Sequence, residues 1–170
     1  MASEAFRGEF YQKVDSKARV SIPAAFRRIL EAEDTATEDS PRPRVYMVYG
    51  GKNRSFVECY SKAGADALAA KIESMELGSP ERDRAERDLI SRSVMVEIEP
   101  DGRIVLPAKV RAKIGYGSED VPGGEAAFAG FTNRFKLFRR EVYDAELADE
   151  DEDDGVDPLA LVGRNAAKAG

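Results

Sequence analysis

The chain contains two copies of one sequence motif. Residues 15–27, DSKARVSIPAAFR, align without a gap with residues 99–111, EPDGRIVLPAKVR, at an offset of 84. Two arginines, a proline and an alanine are identical in the copies, and three further positions are apolar in both. A repeat of this kind constrains the fold strongly, because both copies must adopt the same local structure.

A second match follows the first in the same order. Residues 50–54, GGKNR, align with residues 130–134, GFTNR, at an offset of 80, and an apolar run stands on each side of both segments. Chance spacing of common residues would rarely produce two ordered matches. We therefore interpret the chain as two copies of one β-rich unit.

Each unit is predicted to have the same order of elements. An extended segment leads into a polar turn, and a short strand with apolar residues at period two follows. Proline then begins a short helix, where its missing N–H costs nothing. A hairpin with Gly-x-x-Asn-Arg at its turn closes the unit. The extended segments are 6–14 and 93–98, and the polar turns are 15–18 and 99–102.

The repeat also predicts the organisation of the whole chain. The first unit covers residues 6–61, a helical link covers 62–92, and the second unit covers 93–147. Within the link, Ser79 and Pro80 have the pattern of a helix N-terminus. Residues 148–170 form an acidic tail, which we expect to be disordered because its acidic run repels itself and offers no core.

The net charge of −6 is unevenly distributed along the chain. Residues 141–170 hold ten acids and two bases, which leaves 24 bases and 22 acids in residues 1–140. The body is therefore weakly basic, and the acidity belongs to the tail. The acidic total consequently does not exclude a nucleic-acid partner for the folded part.

Composition excludes several classes of site. The chain has no histidine and a single cysteine, Cys59, so we expect no disulfide, no zinc site and no histidine-based catalysis. We expect neither a cofactor nor a small-molecule substrate, and we predict that the chain is not an enzyme. We also expect no targeting segment and no membrane span, and hence a soluble cytoplasmic protein.

The motifs resemble those of the MraZ family. The resemblance rests on FRG at 6–8, DSKARVSIP at 15–23, GRIVLP at 102–107 and NRFKLF at 133–138, and it covers roughly residues 6–147. Three positions depart from the family pattern: Ala18 replaces a glycine, Glu99 replaces an aspartate, and Phe138 stands where tryptophan is frequent. Ala18 makes a left-handed turn conformation less favourable.

The resemblance implies both a fold and a function. The fold would be α+β and β-rich, with duplicated swapped-hairpin, AbrB-like β-barrel units about a pseudo-two-fold axis and helices at the periphery. The family forms closed rings. Its members are sequence-specific transcriptional regulators of the bacterial division and cell-wall gene cluster, and they bind repeated sites upstream of their own gene. We therefore expect a homo-oligomer that binds double-stranded DNA and associates with the nucleoid.

The resemblance also implies the residues that contact DNA. The motif arginines carry over to Arg19 and Arg103, whose guanidinium groups can bind guanine or phosphate through two hydrogen bonds. Lys17 supplies a further cation suited to phosphate, whereas its counterpart Asp101 repels DNA. We expect the first unit to carry more of the binding. The motif acids Asp15 and Glu99 are expected to orient their arginines or to cap the turns.

Other interpretations stay open at the level of sequence. Asp15 and Arg19 could form only a structural ion pair in a tight turn. The whole protein could be a structural oligomer or an antitoxin-like interaction module that does not read DNA sequence. Arg27 and Arg111 are interpreted as helix-surface residues, and Arg54 and Arg134 as turn residues.

Overall fold

The computed structural model describes residues 4–35, 38, 41–116, 124–150 and 155–169. Contacts divide the chain into two compact units, Met1–Arg140 and Glu141–Gly170. Both predicted copies of the repeat up to Arg140 thus belong to one compact unit. The fall in the repeat offset from 84 to 80 predicts a longer loop in the first copy, at residues 33–44, and this segment lies partly outside the described residues.

The first compact unit is rich in short strands. Its strands are β1 Glu9–Lys13, β2 Arg19–Ser21, β3 Arg44–Val48, β4 Val57–Tyr60, β5 Ser93–Glu97, β6 Arg103–Val105, β7 Glu125–Gly130 and β8 Phe135–Arg139. The helices that begin in it are α1 Ala24–Ala32, α2 Lys62–Glu73, α3 Pro80–Glu86 with a π-helical turn Arg87–Ser91, α4 Ala108–Lys113 and α5 Arg140–Glu150.

The strands form two antiparallel sheets. Six strands have the order β1-β7-β8-β4-β3-β5, while β2 and β6 pair with each other in a separate two-stranded sheet. The first strand of each predicted copy pairs with a hairpin strand of the other copy, since β1 pairs with β7 and β5 pairs with β3. The α+β class with a mostly antiparallel sheet agrees with the prediction from sequence.

The core of the first unit lies between the sheets and α1. Val20 and Ile22 are buried, as their period-two spacing predicts, and so are their counterparts Ile104 and Leu106. The ring of Phe26 on α1 stacks on that of Phe135 with their centroids 4.8 Å apart. Apolar residues from both copies thus share one core, which holds the turns before β2 and β6 in place.

Capping residues fix two helix starts in the predicted link. The side chain of Ser61 accepts a hydrogen bond from the backbone N–H of Gly64 at 2.9 Å, at the start of α2. Ser79 accepts one from the backbone N–H of Arg82 at 3.1 Å, and Pro80 occupies the first position of α3. The helix N-terminus that the sequence predicts at Ser79 and Pro80 is therefore present in the structure.

The second compact unit differs from the sequence prediction. Its described residues include most of α5 and a further helix, α6, at Pro158–Ala169, within the tail that was predicted to be disordered. The acidic run ends at Asp157, whose carboxylate accepts a hydrogen bond from the backbone N–H of Leu159 at 3.1 Å. The residues after it are rich in alanine and leucine, which favour a helix once the charge repulsion has ended. Residues 151–154 lie outside the described part of the chain.

Candidate nucleic-acid interface

The two motif strands lie side by side. In the antiparallel pair of β2 and β6, Val20 lies opposite Ile104, and Arg19 and Arg103 lie opposite Val105 and Ser21. Because Val20 and Ile104 are equivalent in the repeat, the pair is centred on one position of the motif. We call this pair, together with the first turn (15–18) and the second turn (99–102), the motif ribbon.

The two turns have the same backbone hydrogen bonds. The N–H of Asp15 donates to the carbonyl of Arg19 at 3.0 Å, and the N–H of Glu99 donates to the carbonyl of Arg103 at 2.9 Å. The last residue of each turn has a positive φ, 62° at Ala18 and 85° at Gly102. Ala18 therefore adopts the left-handed conformation that its side chain disfavours, as the departure from glycine suggested.

Asp15 organises the first turn. One carboxylate oxygen accepts hydrogen bonds from the backbone N–H groups of Lys17 and Arg19, both at 2.9 Å, and the other accepts from Arg19 Nε at 2.8 Å. The backbone bond from Arg19 is the main reason why the pKa of Asp15 lies below its ordinary value of 3.8. Asp15 thus caps the turn and also orients the guanidinium of Arg19, and its carboxylate is ionised at neutral pH.

The second turn uses a different acid. The carboxylate of Asp101 accepts from the backbone N–H of Arg103 at 3.0 Å and from Arg103 Nε at 2.8 Å. Both bonds lower the pKa of Asp101, and the side-chain bond raises that of Arg103. The sequence prediction assigned this role to Glu99, and the structure differs because an aspartate two residues before the arginine reaches both the backbone and the side chain of the turn.

The two turns meet in one ionic network. Arg103 Nη1 lies 3.7 Å from a carboxylate oxygen of Asp15, so Asp15 joins the arginines of both turns. The side chains of Arg19 and Arg103 remain about one-third exposed, at 34% and 37%. The structure therefore brings the predicted residues Asp15, Arg19 and Arg103 together at the surface, with Asp101 as a fourth member.

Lys17 lies beside this network without joining it. Its backbone N–H donates to the carboxylate of Asp15, whereas its side chain is exposed and makes no ion pair within the described part of the chain. Glu99 is partly exposed, and its carboxylate contributes to raising the pKa of Arg103 from a distance. Two arginines face two aspartates in the network, and Lys17 is the predicted cation that no ion pair neutralises in the described part of the chain.

Sequence reasoning underrated one residue of this region. Arg27 on α1 lies over the second turn: a Cβ atom built on Gly102 would fall against Arg27 Nη1 and 2.6 Å from its Cζ. The helical position of Arg27 predicts a surface side chain but not its contact with the other copy of the motif. The glycine in GRIVLP at 102–107, set against Ala18 in the first copy, is the one sequence signal for that contact.

Arg54 and Arg134, interpreted from sequence as turn residues, share a buried partner. The carboxylate of Glu58 binds Arg54, and its other oxygen accepts from Arg134 Nε at 2.6 Å. Glu58 is only 6% exposed. Sequence reasoning did not identify Glu58, because no counterpart of this acid exists in the second copy of the repeat. The cluster ties the two hairpin turns together rather than lining the motif ribbon.

The described residues contain no group of three or more histidine, cysteine, aspartate or glutamate side chains that could hold a metal ion. Within the same ranges, no helix is long and apolar enough to cross a membrane. Cys59 is buried in β4, where burial raises the pKa of its thiol.

Comparison with characterised protein families and individual proteins identifies relatives of the chain. No protein-family model matches it. The transcriptional regulator MraZ of Cereibacter sphaeroides strain KD131 is 46% identical over 164 residues, which cover 94% of this chain and 96% of the relative. The MraZ of Ruegeria pomeroyi is 43% identical over 141 residues, 83% of this chain and 81% of its own length. The MraZ of Neisseria meningitidis FAM18 is 29% identical over 157 residues, covering 92% and 93%.

Each of these relatives is named as a transcriptional regulator. Identity at this level over nearly the full length of both chains, together with the motif resemblance at the two turns, leads to one assignment. The chain belongs to the MraZ family of transcriptional regulators.

Proposed function

We propose that this protein binds double-stranded DNA through the motif ribbon and regulates the division and cell-wall gene cluster from repeated sites upstream of its own gene. The observation that carries the proposal is the surface network in which one carboxylate, that of Asp15, contacts the arginines of both turns. A two-stranded ribbon of this kind fits the major groove of B-DNA.

The network suits DNA because its cations are already oriented. Hydrogen bonds to Asp15 and Asp101 hold the Nε edges of Arg19 and Arg103, while the guanidinium groups stay partly exposed. Preorganised guanidinium groups lose less conformational entropy on binding phosphate or guanine. Lys17 supplies a mobile charge for phosphate.

The same observations support a swapped-hairpin architecture with a pseudo-two-fold axis. Val20 pairs with Ile104 across β2 and β6, and Val57 pairs with Leu137 across β4 and β8. In both pairs the two residues are equivalent in the repeat, as expected at positions through which a two-fold axis passes. The exchange of first strands between copies also fits this architecture.

A single ribbon offers few contacts, so we propose that affinity comes from a homo-oligomer, built as a closed ring, whose ribbons engage successive DNA repeats on the nucleoid. Linked binding events raise avidity without new contacts, provided that the spacing of the ribbons matches the spacing of the sites. The signature would be a steep decrease of affinity with salt, since every neutralised phosphate releases counterions.

The proposal is tested by measuring binding of the purified protein to DNA from upstream of its own gene over a range of salt concentrations. We expect Arg19→Ala to weaken binding at least about tenfold, because it removes an oriented guanidinium from every subunit. Arg103→Ala should weaken binding less, since Asp101 neutralises part of its charge. Arg84→Ala, which removes a charge from the exposed surface of α3, is the matched control.

The oligomeric mass of each variant must be measured in parallel by light scattering. An intact oligomer with lost DNA binding supports the proposal. If Arg19→Ala and Arg103→Ala both bind like wild type, or if the wild type shows no preference for the upstream DNA, the protein is a structural or interaction module and the proposal is wrong.

A further inference from the structure

Arg27 stands out as a cation without a partner beside the motif ribbon. Its guanidinium lies over the backbone of Gly102, in the space that a side chain at that position would fill. Its side chain makes no hydrogen bond or ion pair with the residues that the structure describes, although it is only partly exposed. An arginine normally satisfies its five donors, so donors left open at a surface are free for an external acceptor.

Its counterpart in the second copy behaves differently. Arg111 Nη1 donates to the carbonyl of Leu106 at 3.0 Å, and its Nε is buried without a partner. In the first copy the position of Gly102 is occupied by Ala18, which carries a methyl group where the glycine has none. This is the sequence difference that accompanies the different positions of the two arginines, one over a turn and the other bonded to Leu106 of its own copy.

Charge around the ribbon shows what Arg27 adds. The two turns carry three cations, Arg19, Arg103 and Lys17, and three acids, Asp15, Asp101 and Glu99, so their formal charges sum to zero. With Arg27 the region becomes positive. A surface with no net charge gains little from the phosphate backbone, which dominates the affinity of proteins for DNA.

We propose that Arg27 is a DNA-binding residue of the second turn, which it reaches from the first copy of the repeat, and that it contacts a backbone phosphate. Gly102 keeps the space open for its guanidinium. This inference rests on the proposed function of the ribbon. The contact from Arg27 makes the second turn a basic surface, even though this turn has Asp101 at the position that corresponds to Lys17 in the first turn.

The first test is a salt titration of DNA binding with Arg27→Ala, Arg27→Lys and the control Arg84→Ala in the full-length protein. A phosphate contact contributes about one counterion per subunit. Arg27→Ala should therefore weaken binding about five- to tenfold per engaged ribbon and lower the salt slope by about one. The loss should be equal on upstream and unrelated DNA, since phosphates carry no sequence information. Arg27→Lys should retain most of the slope.

The second test fills the space above residue 102 and leaves the charge of Arg27 unchanged. Gly102→Ala should displace the guanidinium and weaken binding as much as Arg27→Ala does, and the double variant should be no weaker than either single one. The positive φ of 85° at Gly102 is strained for alanine, but Ala18 shows that the repeat accommodates an alanine with a φ of 62° at the equivalent position. Thermal unfolding of each variant verifies that the fold is intact.

The possible outcomes distinguish failure of the proposed function from failure of the inference about Arg27. If the wild type does not bind DNA, the proposed function fails. If the wild type binds and Arg27→Ala matches Arg84→Ala in affinity and salt slope, Arg27 is not a contact and this inference alone is overturned. A lower melting temperature with an unchanged salt slope would assign Arg27 a purely structural role and would overturn it equally.

Discussion

Lys17 and Asp101 occupy the same position in the two turns, two residues before the motif arginine, and carry opposite charges. The consequence is visible in the hydrogen bonds: Asp101 binds Arg103 at 2.8 Å, whereas the lysine leaves Arg19 to Asp15 alone. One substitution between the copies therefore gives Arg103 a nearest acid of its own. This single position makes the two copies of the motif unequal in charge.

We predict that Asp101→Asn strengthens DNA binding. The amide oxygen can still accept the hydrogen bond from the backbone of Arg103, but the negative charge is removed and the guanidinium becomes available for phosphate. The expected gain is about three- to tenfold at low salt, and it should shrink as salt is added. Titration of fluorescent upstream DNA measures it. Glu81→Gln, on the exposed surface of α3, is the control, and equal gains for both variants would show only a general charge effect.

The sequence predicted individual residues where the interaction is local. The spacing of Asp15 and Arg19 within one turn is enough to predict their ion pair, and the structure shows it at 2.8 Å. Glu99 was assigned the same role by analogy between the copies, yet Asp101 competes from a shorter distance along the chain. The contact of Arg27 with the second turn joins segments that are far apart in sequence, so no local pattern contains it.

At the scale of elements, Glu58 links the β3–β4 hairpin to the β7–β8 hairpin through ion pairs. Arg54 belongs to the turn between β3 and β4, Arg134 to the turn between β7 and β8, and both bind this one carboxylate in β4. Tyr60 also donates to it, at 3.4 Å. The loss of this carboxylate leaves two guanidinium groups without the acceptor that they share.

We predict that Glu58→Ala destabilises the fold by about 3 kcal/mol, at the low end for a broken buried ion pair, since it leaves two partly buried guanidinium groups without their shared carboxylate. Urea unfolding followed by circular dichroism measures the change. Glu97→Ala on the edge strand β5 is the matched control, because its side chain is exposed, and should change stability by less than about 0.5 kcal/mol. A loss below about 1 kcal/mol for Glu58→Ala would mean that the two arginines find other acceptors.

Elements were predictable from sequence wherever a period or a cap defined them. The alternation around Val20, the proline before each short helix, and Ser79 with Pro80 gave the correct types of element. The tail shows the limit of such reasoning. The charge repulsion of its acidic run was applied to all of 148–170, whereas the residues from Pro158 onward carry no acid and form α6.

At the scale of the whole molecule, the excess of acidic residues lies in the tail and not in the part of the chain that contains the motif ribbon. Residues 148–170 contain seven acids and two bases, while the body up to residue 140 has a net charge of +2. Strand pairing between the copies, which builds the single compact unit Met1–Arg140, could not be read from either copy alone. Only the repeat itself indicated that the copies belong together.

We predict that the tail competes with DNA for the motif ribbon, since its carboxylates resemble phosphates in charge and are tethered to the same chain. Deleting residues 148–170 should therefore tighten DNA binding about three- to tenfold at about 0.05 M salt and have little effect at about 0.3 M, where the Debye length is shorter. Binding titrations at both salt concentrations measure this. A variant that keeps the length but replaces the seven acids with asparagine and glutamine should reproduce the gain, because the effect lies in charge and not in α6. If deletion tightens binding and the neutralised variant does not, the helix rather than the acidic run restrains the ribbon; if neither changes the affinity, the tail does not compete with DNA.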